Sequence, residues 1–164
     1  MIQESFWEKN ELASLENCHI SLFRKHFSES EADKYFFYLN QIKWKQNEIV
    51  VFGNKHPEPR ETAWFGNPGI NYKYSGIEHT AEPWFPLLEE IRTRVQIASG
   101  VIFNSVLLNR YRDENDGVGW HADDERELGA TPTIGSVSFG ASRKFQLREK
   151  HKKSEIFTTF LHHG

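Results

Sequence analysis

The sequence predicts an α+β fold whose main body is a β-sandwich or jelly roll. Helical periodicity is confined to two stretches before Gly100, and short strand-like runs set off by Gly, Asp, Asn, Pro or Lys turns fill most of the rest. Aromatic residues make up 14% of the chain and Val/Ile/Thr runs recur, both of which favour strands. A chain of 164 residues with 38% hydrophobic content and no repeat or linker is read as one domain, 1–164, with a substantial core.

Residues 1–17 are polar and read as a loose lead-in. Ser28 and Glu31 have capping-box spacing, so a helix starts at Ser28, with Ala32, Tyr35, Phe36 and Leu39 on one face. Ile49 to Phe52 is a short apolar run, followed by a loop through Pro57 and Pro59. Thr62–Phe65 and Ile70–Tyr74 read as a strand pair around Gly66-Asn67-Pro68-Gly69. A second helix spans about Trp84 to Ser99, with Leu88, Ile91, Val95 and Ala98 on one face and Gly100 as its stop. Strands are then expected at Phe103–Arg112, Trp120–Asp123, Thr133–Phe139, Arg143–Arg148 and Glu155–Leu161.

The net charge of −3 excludes a uniformly polycationic surface, so nucleic-acid binding needs a local basic patch. Arg148, Lys150, His151, Lys152 and Lys153 form the one candidate, which also reads as a solvated hairpin turn. Cys18 is the only cysteine, which precludes an internal disulfide and suits a reducing compartment. Without a long apolar run or a signal-like start, the expectation is a protein that is neither membrane-spanning nor secreted.

The richest segment runs from Asn109 to Glu125. On a strand, His121 and Asp123 project to the same side while Ala122 points away. One imidazole and one carboxylate supply two corners of a facial triad whose open positions admit cosubstrate and O₂. Taken alone, His-x-Asp fits a turn-proximal ion pair as well. Asn109 and Tyr111 also share a face, where an amide and a phenol suit a small dicarboxylate or simply satisfy each other.

Taken together, Asn109-Arg110-Tyr111, His121-Ala122-Asp123-Asp124-Glu125 and Ser136-Val137-Ser138-Phe139-Gly140-Ala141 with Arg143 resemble the AlkB family in order and spacing. Pro59-Arg60, Trp64-Phe65-Gly66 and Tyr72-Lys73-Tyr74-Ser75-Gly76 are similar to that family's nucleotide-recognition region, and the likeness runs from about Cys18 to Gly164. It implies a double-stranded β-helix, with an N-terminal extension and nucleotide-recognition lid over 18–80 and an incomplete jelly-roll core over 101–164. It further implies Fe(II) held by His121 and Asp123, and 2-oxoglutarate held by Asn109 and Tyr111. Tyr72, Tyr74, Ser75, Arg60, Asp124 and Glu125 would receive the flipped base, and Phe52 would be an apolar wedge in the duplex. Read without the resemblance, Tyr72 and Tyr74 fit cross-strand aromatics and Phe52 a buried strand residue.

The implied reaction is oxidative demethylation of N1-methyladenine or N3-methylcytosine in DNA or RNA, a repair activity releasing formaldehyde, succinate and CO₂. These bases are cationic, so aromatic faces and carboxylates favour them, and a base inside a duplex must be flipped out first. The family pattern also requires a third ligand, normally His, and an Arg for the distal carboxylate of 2-oxoglutarate. Both are expected beyond Gly164, making this a C-terminally truncated chain. His162 and His163 stand before that point, on a terminal segment expected to fray. Two other readings stay open: a nucleic-acid-binding fragment without catalysis, and an oxygenase acting on a protein or small molecule. A monomer is expected, cytoplasmic in a bacterium and nuclear in a eukaryote.

Overall fold

The computed structural model describes residues 9–15, 18–51, 53–74, 77–123, 128–129, 131–150 and 156–164. They divide into two compact units, Met1–Gln41 with Ser136–Gly164, and Ile42–Gly135. Among the described residues runs of strands are interrupted by only two helices, one after the first two strands and one after the eighth, the segregated order of an α+β fold.

The first unit begins with strand rather than loose chain. Strand β1 (Lys9–Leu15) pairs antiparallel with β2 (Cys18–Phe23), an unexpected hairpin. Apolar residues in β2 are interrupted by polar ones, which hid its register from a periodicity reading. Helix α1 (Glu29–Leu39) starts as anticipated: the Ser28 Oγ accepts the Glu31 amide at 3.3 Å and the Glu31 carboxylate accepts the Ser28 amide at 2.8 Å. Ala32 and Tyr35 are fully buried, whereas Phe36 keeps 43% of its surface exposed. Phe27, Tyr35 and Phe139 pack with ring centroids 5.3–5.7 Å apart and form the centre of this unit's core.

Two further strands, which we label β10 (Arg143–Arg148) and β11 (Ile156–Leu161), pair antiparallel in the same unit. The terminal residues are tied down and not frayed. The Gly164 amide donates to Ser138 O and its carbonyl accepts the Phe27 amide, each at 3.0 Å.

The second unit is built on a three-stranded sheet. Strand β5 (Glu61–Gly66) lies between β8 (Glu82–Pro83, parallel) and β9 (Ser105–Arg110, antiparallel). Two hairpins accompany it, β3 (Glu48–Val51) with β4 (Asn54–Pro57), and β6 (Asn71–Tyr74) with β7 (Ile77–Thr80). Helix α2 (Pro86–Ser99) ends at Gly100, whose φ of 71° is the left-handed stop that glycine adopts freely. Leu88 and Ile91 are its buried residues.

Several expected elements differ. Thr62–Phe65 and Ile70–Tyr74 are strands but not partners, because both edges of β5 are already taken by β8 and β9. The turn between them is nevertheless real: Ile70 N–H donates to Asn67 O at 3.1 Å, with Pro68 and a positive-φ Gly69 at its centre. The stretch expected as a loop through Pro57 contains β4, with Pro57 at the strand's end, where a missing N–H costs no ladder bond. Trp120–Asp123 and Thr133–Phe139 lie in no strand. A strand needs a hydrogen-bonded ladder, and no described strand forms one with either run.

Candidate active site

The segment that carries the candidate residues leaves β9 and continues as an irregular loop. Asn109 sits in β9 opposite Thr62, one position before Arg110 pairs with Glu61. Tyr111 lies just past the strand's end, so the two do not share one strand face as expected. Asn109 is exposed and Tyr111 half-buried.

Arg110 anchors the sheet end. Its guanidinium donates through Nε to Glu61 Oε2 at 2.6 Å, pairs with the same oxygen through Nη2, and lies 5.1 Å from the centre of the Trp44 ring.

Beyond Tyr111 the loop is drawn together by one carboxylate. Asp116, 6% exposed, accepts from the Arg112 backbone amide and Nε at 2.8 Å and from its Nη2 at 2.9 Å. The Arg112 guanidinium is held above its ordinary pKa, chiefly by the hydrogen bond to Asp116; burial opposes this, and the charges of Asp116, Glu61 and Asp113 add to it. The next amide, Gly117, donates to Pro59 O at 2.8 Å.

His121 and Asp123 converge even without a strand beneath them. His121 Nε2 lies 3.4 Å from Asp123 Oδ1, and both side chains are about half exposed. Nδ1 is 2.9 Å from Gly119 O. A carbonyl only accepts, so Nδ1 carries the hydrogen in this contact; a protonated ring then meets Asp123 as an ion pair, and a neutral one leaves a lone pair on Nε2. That lone pair and a carboxylate oxygen then face each other, an arrangement that a shared cation relieves. The pair therefore fits a metal such as Fe(II) as two ligands, with the backbone bond at Nδ1 orienting the ring. Among the described residues no group of three His, Cys, Asp or Glu side chains surrounds one point.

The other candidates are distributed as follows. Arg60 is half-buried, with Nη2 3.7 Å from Oε1 of the buried Glu58. Tyr72 and Tyr74 occupy β6, opposite His79 and Ile77. Phe52, Ser75, Asp124 and Glu125 fall outside the described residues, as do His151, Lys152 and Lys153 of the basic turn. His162 Nδ1 is 2.7 Å from Ser142 Oγ, and His163 is bound through both ring nitrogens, to the Gly140 amide and to Asp33. Asp116 and the Gly119 carbonyl escaped the sequence reading. The only available signal was Asp116-Gly117 four residues after Arg112, an ordinary turn signature.

A family model described as the 2OG-Fe(II) oxygenase superfamily matches residues 19–164, and the chain belongs to that superfamily. With membership come Fe(II) and 2-oxoglutarate as cofactors. Its curated relatives are of the AlkB type. It is 44% identical over 133 residues to DNA oxidative demethylase ALKBH2 of Mus musculus, covering 79% of this chain and 56% of that protein. Bos taurus ALKBH2 is 40% identical over 143 residues, 85% of this chain and 50% of that one. Alpha-ketoglutarate-dependent dioxygenase alkB homolog 3 of Rattus norvegicus is 43% identical over 115 residues, 70% and 38% respectively. The chain thus spans about half the length of the ALKBH2 proteins it matches.

Proposed function

We propose that this protein oxidatively demethylates N-alkylated bases in nucleic acid, with N1-methyladenine and N3-methylcytosine as substrates. The observation that carries this reading is the His121–Asp123 pair, its Nε2 and carboxylate 3.4 Å apart and its ring fixed by Gly119 O. Similarity to ALKBH2 and alkB homolog 3 supports it.

In this reading His121 Nε2 and an Asp123 oxygen hold the metal, and Asn109 and Tyr111 hydrogen-bond 2-oxoglutarate. Bound Fe(II) with 2-oxoglutarate and O₂ supplies the oxidation of the N-methyl carbon, yielding formaldehyde, succinate and CO₂. The protein's share is orientation. Gly119 O keeps the imidazole in the tautomer that offers Nε2, and the Asp116 clamp holds the loop between the two residue pairs. Tyr72, Tyr74 and Ser75 receive the flipped base, Arg60 its phosphate, Asp124 and Glu125 its cationic edge, and Phe52 takes the vacated stack.

We further propose that the wider architecture is a double-stranded β-helix with residues 18–80 forming an extension and lid. The protein is read as a monomer in a reducing compartment, consistent with a free, exposed Cys18. No helix among the described residues is long and apolar enough to cross a membrane.

The experiment is turnover of oligonucleotides carrying one N1-methyladenine or N3-methylcytosine, with formaldehyde and succinate measured together in the longest natural form of the protein. Equal amounts of both products, dependent on Fe(II) and 2-oxoglutarate, are expected. Succinate formation that no methylated base stimulates would point to a protein or small-molecule substrate instead. Oligonucleotide binding without either product would leave a binding module.

A further inference from the structure

We propose that Asn67 is a positioning residue: its side-chain oxygen fixes the root of the β6–β7 hairpin and thereby sets the affinity for the methylated base. This rests on the reading above of β6 as the strand that receives that base.

Asn67 stands exposed in the turn between β5 and β6. Its amide donates to Asn104 O at 2.8 Å and its carbonyl accepts the Ile70 amide at 3.1 Å. The side-chain oxygen takes two donors that come from around α2, Trp84 Nε1 at 2.9 Å and Arg92 Nη1 at 3.2 Å. The Arg92 guanidinium lies over the Trp84 ring, 4.4 Å from its centre, so the two donors are already held to each other. Ile70 O then accepts the Ala81 amide at 3.1 Å, just outside the first hairpin pair, Asn71 with Thr80.

The hairpin depends on this root. β6 and β7 pair only with each other among the described strands, and a lone two-stranded hairpin is marginally stable. β5, by contrast, is fixed by ladders on both edges and by close packing at Gly66, where a Cβ would stand 3.1 Å from Ala81 Cβ and Asn104 O. The tip of the turn packs on nothing, since a Cβ on Gly69 would meet no atom within 4 Å. The direction in which β6 leaves is therefore set by the bonds at Asn67 and Ile70. Of these, only the pair on the Asn67 side chain can be removed with the backbone bonds left in place. Tyr72 and Tyr74, two apart on β6, share a face of that strand and follow its root. None of these bonds reaches Asn109, Tyr111, His121 or Asp123.

The test measures demethylation of an N1-methyladenine oligonucleotide and, separately, the succinate formed with no nucleic acid present, in the longest natural form of the protein. Asn67→Ala should raise KM for the oligonucleotide about tenfold, while kcat, the KM for 2-oxoglutarate and the uncoupled succinate rate stay within about twofold. Asn67→Asp keeps an oxygen for both donors and should return KM to within about threefold of the parent. Trp84→Phe removes one donor but keeps a ring under Arg92. It should shift KM in the same direction by less, and it serves where the alanine form does not fold.

Oligonucleotide KM unchanged in both Asn67→Ala and Trp84→Phe would overturn the proposal. So would an aspartate variant as weak as the alanine one, or a rise in oligonucleotide KM matched by an equal loss of uncoupled succinate formation, the mark of a merely structural residue. Oligonucleotide KM indifferent to the double substitution Tyr72→Ala and Tyr74→Ala would overturn the reading of β6 and the inference with it, an outcome visible before any Asn67 variant is measured.

Discussion

The backbone N–H of Gly140 donates to Nδ1 of His163 at 2.8 Å. Because Nδ1 accepts, the ring hydrogen sits on Nε2, which faces Asp33 Oδ1 at 3.2 Å. The imidazole also meets Phe36 and Phe139 edge to face at 6.2 Å. Both nitrogens are engaged, so this histidine braces the first unit and is not free to take a metal. His163→Ala should lower stability by about 1–3 kcal/mol, the cost of stranding a part-buried amide. Urea unfolding reads this directly. Metal affinity should not change, and a loss of it would contradict the structural role.

Gly140 itself has little tolerance. Its φ is 91°, and a Cβ built there would come within 2.8 Å of Phe36 Cε2. Gly140→Ala should destabilise by about 1–3 kcal/mol from backbone strain and overpacking. Adding Phe36→Leu should restore the steric part only, because the φ strain stays. Thermal melting of the double variant against the singles separates the two contributions.

Arg110 makes the geometric case for guanidinium over ammonium. It spans Glu61 with two nitrogens while its plane lies near Trp44. Lysine retains the charge but neither the fork nor the stacking face, so Arg110→Lys should cost about 1 kcal/mol, moderated by partial exposure of the pair. A change in tryptophan emission should accompany it. Unchanged stability and emission would mean the contact contributes nothing.

How much of this was legible in the sequence depended on the range of each interaction. The Ser28–Glu31 capping box and the Gly100 stop are local devices, and both stand where the residue types put them. Arg143–Arg148 was readable as a strand for the same reason. The Pro68-Gly69 turn was readable as a turn, but which strands it would separate into different ladders was not. That choice is made by β9, whose Asn109 pairs with Thr62 from far along the chain. The candidate site divides in the same way. His121 and Asp123 announce themselves by spacing, whereas Asp113, Glu114 and Asp116 look interchangeable until the structure shows which carboxylate is buried against Arg112. His162 and His163 looked like a loose end because hydrogen bonds from Gly140 and Ser142 leave no mark in a linear reading.

His121→Ala is the most direct probe of whether His121 and Asp123 are the metal-holding pair of an oxidative demethylase. Because His121 is about half exposed and its contacts to Gly119 and Asp123 are local, the substitution should leave stability within about 0.5 kcal/mol of the parent. Formaldehyde release from an N1-methyladenine oligonucleotide should fall by about a thousandfold or more, as expected when a metal ligand is removed. Retention of turnover within about tenfold of the parent, in a variant that folds normally, would show that His121 does not hold the metal.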